Sequence, residues 1–294
     1  MPELPEVETI VKGLKSKIID KKIIDFDNKD EKKIKVEKKS VIGHKITNIE
    51  RRAKMIVIEL NGQESILAHL KMTGQLIWEE RQGKKEFCLR NRVSGGHPDN
   101  SWFQKLPNKH TRAIFHFDDK SVLYFNDLRR FGWLRQYQTD ELKNLRTKEL
   151  KNIGVEPFSN DFNLEYLKKR AEKIANHKIK QYLIDQEVVA GIGNIYADES
   201  LFHAGILPER AVSKINDKEW KKIIESVKKA LNLGIKYGGS SEESYVNALG
   251  KPGEAQKHVF VYRRTGQKCK KCDNIIQKIK LGGRSTHFCP GCQK

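Results

Sequence analysis

The sequence contains no run of about 18 apolar residues, and its start has no basic segment leading into an apolar one, so neither a membrane span nor a secretory leader is expected. Cysteine is scarce and unevenly placed. Of the five, four lie within residues 269–294 and the fifth, Cys88, stands alone as an ordinary free thiol, which excludes a disulfide scaffold and suits a reducing intracellular compartment. There is no internal repeat or low-complexity tract, so solenoids and arrays are excluded as well. Acidic charge is in short supply: 38 Asp and Glu face 57 Lys and Arg, giving a formal net charge of +19. That balance favours a polyanionic partner, nucleic acid ahead of a membrane surface. With 294 residues the chain can bury one large core or two ordinary ones without cross-links.

What is present divides the chain in two. Val7, Ile10, Val11, Leu14 and Ile18 recur at three- and four-residue steps, predicting an amphipathic helix that holds the N-terminus on a core. From about Lys22 to Tyr137 the apolar runs are short and rich in Ile, Val and Phe, as in Met55 to Leu60, Ser65 to Leu70, Ala113 to Phe117 and Ser121 to Phe125. These predict strands, with a hairpin turn at Asp118-Asp119-Lys120. No helix-length segment separates consecutive strands, so they are expected to pair antiparallel in a sandwich. Residues 81–108 are polar, with Gly-Gly, His-Pro and Asp-Asn steps, and read as a long surface loop or insertion of unreadable function. Thr139 to Phe162 reads as a linker. Helices are expected beyond it at Leu164 to Ala175, Ile179 to Gln186, Asn194 to Ala204 and, most clearly, Lys218 to Tyr237, which Gly238-Gly239 would stop. Gly239 to Lys257 carries little apolar surface and reads as a mobile loop. The expected fold class is α+β in two domains. Residues 1–138 form an antiparallel β-sandwich with an N-terminal helix, 139–162 a linker, 163–258 a helical domain, and 259–294 a zinc-binding β-hairpin.

Cys269, Cys272, Cys289 and Cys292 form a C-x2-C-x16-C-x2-C pattern, which is specific for zinc. Four thiolates close a tetrahedral shell, so one structural Zn2+ is expected, folding the tail and breaking no bonds. The Leu281-Gly282-Gly283 turn between the knuckles would present Arg284. At the other end of the chain, removal of Met1 would expose the secondary amine of Pro2 beside the carboxyl of Glu3. A free α-amino group titrates near pH 8, so a useful fraction is nucleophilic at neutral pH, and Glu3 could serve as acid. The same residues also suit a helix start, with Pro2 and Pro5 stiffening the entry and Glu3, Glu6 and Glu8 near the positive helix end. Gly191 and Gly193 precede a helix beginning at Asn194, where they either admit a phosphate or make a tight corner without ligand. Met72 follows one strand, and Arg129, Arg130 and Phe131 follow another. Such residues pack cores or, when exposed, enter a duplex and fill the gap left by an extruded base.

The opening Pro-Glu-Leu-Pro-Glu-Val-Glu-Thr, the strand Arg51-Arg52-Ala53-Lys54, His69 to Gly74, Asp127 to Gly132, Gly191 to Tyr196 and the zinc hairpin with Arg284 together resemble the formamidopyrimidine-DNA glycosylase family. The match runs in order along nearly the whole chain. The resemblance implies that Pro2 attacks C1′ of a damaged nucleotide and forms a Schiff base, and that Glu3 donates a proton. Lys54 would assist β-elimination, and Arg284 would bind phosphate and assist δ-elimination. It also implies that Met72, Arg129 and Phe131 fill the duplex, Arg129 reading the orphaned base, and that Lys54, His69, His110 and Asn194 contact the DNA backbone. The helical domain becomes a helix-two-turn-helix module, Gly239 to Lys257 a loop closing over the lesion, and the inter-domain cleft the DNA site. Lys178 or Lys180 could be a further phosphate contact. The 81–108 insertion, Thr111-Arg112 after His110 and Leu128 in place of a usual proline depart from the family pattern.

The expected function is thus a bifunctional glycosylase and lyase of base excision repair acting on oxidised purines. Its partner would be damaged double-stranded DNA, with the protein a cytoplasmic, nucleoid-associated monomer. An endonuclease VIII-type enzyme for oxidised pyrimidines is the alternative within the same fold; Leu4, Val7 and the long loop before the zinc hairpin favour the purine branch. A DNA-binding zinc protein without catalysis is the alternative outside it.

Overall fold

The structure, a computed structural model, describes residues 1–80, 105–240 and 253–294, together with the backbone of 92–96. Cys88, most of the polar 81–108 stretch and residues 241–252 of the expected capping loop lie outside the described residues. The chain forms two compact units, one comprising 1–151 and 237–256, the other 152–236 and 257–294.

In the first unit, helix α1 (Leu4–Ile18) starts where Pro5 fits the first turn and Glu6 lies near the positive helix end. It buries Val7, Ile10, Val11, Leu14 and Ile18, the stripe read from the sequence. Ten strands then build two five-stranded sheets. The first joins β1 (Ile23–Asn28), β8 (Thr111–Phe117), β9 (Val122–Asp127), β6 (Gly74–Glu79) and β7 (Arg92–Gly96) in that spatial order. The second joins β2 (Ile34–Lys35), β10 (Trp133–Gln138), β5 (Glu64–His69), β4 (Met55–Leu60) and β3 (Ile46–Arg52). Among the described residues every pairing within these sheets is antiparallel except the short β2–β10 contact, which is parallel. Inward side chains of both sheets, including Phe26, Ile58, Ile66, Phe115 and Phe125, share one core with the stripe of α1. Helix α1 packs against β7 and β3, the terminal strands of the two sheets, and so closes that open side of the sandwich.

Three local expectations change. Part of the polar insertion is ordered as β7, which pairs with β6 from Gln75 opposite Gly96 to Glu79 opposite Arg92. Its Arg-Val-Ser-Gly-Gly sequence carries little of the apolar alternation that marks a strand. Ala53 and Lys54 are not strand residues but the two-residue turn between β3 and β4, with Ala53 at φ 53°. Within 139–162 a short helix, α3 (Thr139–Lys143), follows β10 directly; helix α2 (Lys38–Val41) is a single turn.

The second unit contains α4 (Leu164–Glu172), α5 (Ile179–Ile184), α6 (Asn194–Ala204) and α7 (Asp217–Lys236), followed by the hairpin β11 (Gln277–Leu281) and β12 (Arg284–Phe288). Helix α6 is buried along nearly its whole length, which explains why no amphipathic stripe marks it. Helix α7 has a clear stripe of Trp220, Ile223, Val227, Ala230 and Leu231, and Gly238 and Gly239 follow it at φ 70° and 84°. The two helices approach closely at Gly234, where an added Cβ would lie 2.4 Å from the hydroxyl of the buried Tyr196. Alanine should therefore destabilise the protein despite its better helix propensity. We expect Gly234→Ala to cost about 1–3 kcal/mol, read as a lower denaturation midpoint of the second unit.

Candidate active site

Pro2 is buried in the chain that carries Met1, while Met1 itself is 41% exposed. With Met1 attached, the Pro2 nitrogen is an amide and has no nucleophilic lone pair. Glu3 and Lys54, both expected to share the chemistry, are 5% and 6% exposed. The start of α1 is held by Glu6: one carboxylate oxygen accepts the Glu3 N–H at 2.9 Å and the other accepts the Ser240 N–H at 2.7 Å. A single buried carboxylate thus ties the chain start to the first residues of the segment expected to cap a lesion. The turn bearing Lys54 is fastened to the same helix. Arg51 donates from Nε to Glu8 at 3.1 Å and from Nη1 to the Ala53 carbonyl, also at 3.1 Å.

His69 ends β5 opposite Trp133. Its Nδ1 accepts the Lys71 N–H at 3.0 Å, which fixes the tautomer with the proton on Nε2. Burial, reinforced by the charges of Lys71 and Lys54, pushes its pKa down to about 3. A neutral ring that can donate from Nε2 is suited to an anionic oxygen. Met72 is 41% exposed and Phe131 46%, and with Leu128 at 43% they leave large apolar side chains at the surface beside Arg129. The Arg129 guanidinium lies over the Phe131 ring at 4.8 Å. Beside them Arg130, at φ 56°, is anchored through Nε to the buried Asp30 at 2.9 Å, an ion pair that holds the Asp30 carboxyl below its usual range. His110 is half-buried just before β8, and its carbonyl accepts the Asp127 N–H at 2.9 Å. Arg112, where the family pattern differs, donates twice to the Asp127 carbonyl.

In the second unit the Gly191 N–H donates to Gln186 at 3.0 Å, and Gly191 has φ 83°. Gly193 caps α6, so Asn194 opens that helix. Asn194 Nδ2 donates to the Ser285 carbonyl at 3.0 Å. The same carbonyl accepts from Lys180 at 3.0 Å, and Lys180 also bonds Thr286 at 2.8 Å and Asp198 at 2.6 Å. Asp198 in turn accepts the His287 N–H at 2.9 Å. The Lys180–Asp198 pair is almost wholly buried, so it anchors β12 while Arg284 at the strand's start stays exposed. Lys180 is thereby committed to this network, whereas Lys178 is half-buried at the start of α5. Glu199, whose pKa burial raises, accepts three backbone N–H groups from Phe260, Val261 and Tyr262 and fixes the chain leading into the tail.

The four tail thiols lie within 4.8 Å of one another. Cys269 and Cys292 are 3.8 Å apart, and Cys272 lies 3.3 Å from both Cys289 and Cys292. A tetrahedral ion with bonds of about 2.3 Å requires sulfur separations of about 3.8 Å, so the set fits zinc with little adjustment.

Three family domains match in sequence order. The formamidopyrimidine-DNA glycosylase N-terminal domain covers residues 1–134, the H2TH domain of the same family 153–245, and the zinc finger found in FPG and IleRS 266–294. The chain belongs to the formamidopyrimidine-DNA glycosylase family. Relatives of that name from Carboxydothermus hydrogenoformans and Streptococcus mutans are 37% and 38% identical, with both chains covered completely in each comparison. A Lactococcus lactis FPG mutant crystallised with Fapy-dG-containing DNA is 34% identical, with a TM-score of 0.83 and full coverage of both chains. The Lactococcus lactis Fpg complexed with DNA containing an abasic site is 33% identical, with a TM-score of 0.82 and 99% of each chain covered. The family and the thiol geometry together establish one structural zinc. Among the described residues no helix is long and apolar enough to cross a membrane.

For several supporting residues the sequence did not reveal the part they play. Glu6 looked like a helix-end charge, and its bond to Ser240 spans 234 positions. Lys180, Asp198 and Asp127 are polar residues whose burial only the fold reveals.

Two outcomes follow. Cys289→Ala should yield a chain that retains no stoichiometric zinc in a colorimetric release assay, with protease cleavage appearing between residues 257 and 294. His69 should remain neutral, with its proton on Nε2, from pH 7.5 to pH 5, because its lowered pKa puts protonation far below that window. Its ring nitrogen shifts in an NMR titration should stay constant where an unperturbed histidine would titrate near 6.5.

Proposed function

We propose that this protein is a bifunctional DNA glycosylase and abasic-site lyase that removes oxidised purines, 8-oxoguanine and formamidopyrimidines, from duplex DNA in base excision repair. The observation that supports this most is the fixed start of α1, where Pro2 and Glu3 are anchored through Glu6 and the Lys54 turn is fastened to the same helix through Arg51 and Glu8.

Once Met1 is removed, the Pro2 nitrogen bonds to C1′ and the bond from C1′ to the base breaks, the base leaving with a proton. Glu3 supplies a proton to the ring oxygen or to the departing base. Opening of the sugar gives an iminium at C1′, an electron sink that acidifies the C2′ proton. Loss of that proton expels the 3′ phosphate, and a second elimination expels the 5′ phosphate. Lys54 assists the first elimination. Arg284, in the other unit, binds phosphate and assists the second; its part rests on the family resemblance. Met72, Arg129 and Phe131 occupy the space left by the extruded nucleotide, with Arg129 reading the base opposite. His69, His110, Asn194 and Lys54 hold backbone phosphates, and Lys178 is the better placed of the two lysines to join them, since Lys180 is committed to Asp198. The segment from Gly239 to Lys257 closes over the lesion. The zinc holds the hairpin in shape and takes no part in the bond changes. The domain plan is a catalytic sandwich over 1–138, a linker over 139–162, a DNA-binding helical domain over 163–258 and a zinc hairpin over 259–294. The protein acts as a monomer in the cytoplasm, associated with the nucleoid through DNA.

Borohydride trapping tests this reading. Protein shown by intact mass to lack Met1 should become covalently joined to duplex DNA containing 8-oxoguanine, and Pro2→Gly should abolish or greatly weaken the adduct. Glu3→Gln should slow base release about 10²- to 10⁴-fold. Absence of any adduct with correctly processed protein would favour a DNA-binding protein without chemistry. Preference for thymine glycol over 8-oxoguanine in competing excision would move the protein to the endonuclease VIII type.

A further inference from the structure

The exposed Met72 and the exposed pair Arg129 and Phe131 come from loops far apart in sequence. The first loop leads into β6 and the second leaves β9, and these strands are neighbours with Gly74 opposite Asp127. Two loops at one end of a sheet would ordinarily move independently, because each is joined to the sheet only at its ends. Here they share a polar connection. Asp127 is 1% exposed, and one of its carboxylate oxygens accepts both the Thr73 hydroxyl and, at 3.2 Å, the Arg129 N–H. The Arg129 N–H also points to the Thr73 hydroxyl oxygen at 3.0 Å. The other Asp127 oxygen accepts the Gly132 N–H at 2.6 Å. That contact depends on glycine, since a Cβ at 132 would lie 3.0 Å from the same oxygen and 2.9 Å from the Phe125 ring. On the paired strand β6, Gly74 is equally constrained, because a Cβ there would meet the Leu70 carbonyl at 2.4 Å.

We propose that Thr73 and Asp127 are positioning residues that join the Met72 loop to the Arg129–Phe131 loop, so that the three gap-filling side chains enter the duplex as one preorganised unit. Thr73 is the link: its hydroxyl donates to Asp127 from one loop and accepts from Arg129 on the other, while Asp127 fixes both ends of the 127–132 turn. The benefit is entropic. Side chains already held in mutual register lose less freedom on entering the base stack. The inference rests on the gap-filling role given to Met72, Arg129 and Phe131 above.

The test compares Thr73→Val, which keeps the side-chain shape and removes the hydroxyl, with Thr73→Ser, which keeps the hydroxyl. Two single-turnover rates are measured for each: excision of 8-oxoguanine from a duplex, which requires the gap to be filled, and cleavage of an abasic site in single-stranded DNA, which does not. Thr73→Val should lower the ratio of duplex to single-strand rate roughly tenfold, and Thr73→Ser should restore it. Fluorescence of 2-aminopurine placed opposite the lesion should report slower gap filling in the valine variant alone. In a Phe131→Ala background the effect of Thr73→Val on the ratio should shrink, as expected when two groups act through one another. An unchanged ratio, or an equal loss on both substrates, overturns the proposal. If wild-type protein forms no adduct with either substrate, the underlying glycosylase reading fails instead, so the two failures are distinguishable.

Discussion

A chain end is ordinarily the most mobile part of a protein, and burial of one face of α1 removes that mobility here. The helix closes the side of the sandwich where β3 and β7 form the sheet ends, so its Val7, Ile10, Val11, Leu14 and Ile18 belong to the core of both sheets. Burying such side chains contributes on the order of 1.5–3 kcal/mol each. The start of the chain therefore cannot come loose without opening the sandwich. The amine of the proposed mechanism, which has to meet a sugar carbon at bonding distance, needs this kind of restraint, because small displacements of a reacting group cost large factors in rate.

The second unit solves a comparable problem by adding charge to a small apolar cluster in which Phe202 of α6 meets Val261 and Ile276. A short zinc hairpin has little core of its own, and metal ligation substitutes for it. The hairpin is then seated on α5 and α6 by the buried Lys180–Asp198 pair and its bonds to Ser285, Thr286 and His287. Replacing such a pair by apolar groups can be neutral, but removing one partner is costly because the other is stranded without water. The pair is thus better understood as a register device. It accepts one placement of β12 and penalises others, which keeps Arg284 at a defined point of the surface.

Elements with strong periodicity were legible in the sequence. Strand β4 has the bounds read from it, and so does α6, although no stripe marks its face and only the glycines before Asn194 signal its start. The zinc ligands were legible because coordination chemistry restricts their spacing. What escaped was non-local or weakly patterned. Strand β7 forms on polar and glycine residues because β6 offers it an edge, and α3 forms where the composition suggested only a linker. Lys54 sits in a turn where the sequence suggests a strand, since the left-handed conformation of Ala53 leaves no mark in residue type. Residue types at the candidate site could be named in advance, whereas the carboxylates that hold them, Glu6, Asp127 and Asp198, declare themselves only through burial and long-range partners.

The burial of Pro2 behind an exposed Met1 has a bearing on how the polypeptide comes into service. On the mechanism proposed above, each newly translated copy folds around a latent centre, which removal of Met1 by an aminopeptidase would arm. On the same mechanism, an affinity tag or fusion partner left on this end would give a DNA-seeking protein that is chemically mute, while the same addition after Lys294 would leave the Pro2 nitrogen untouched.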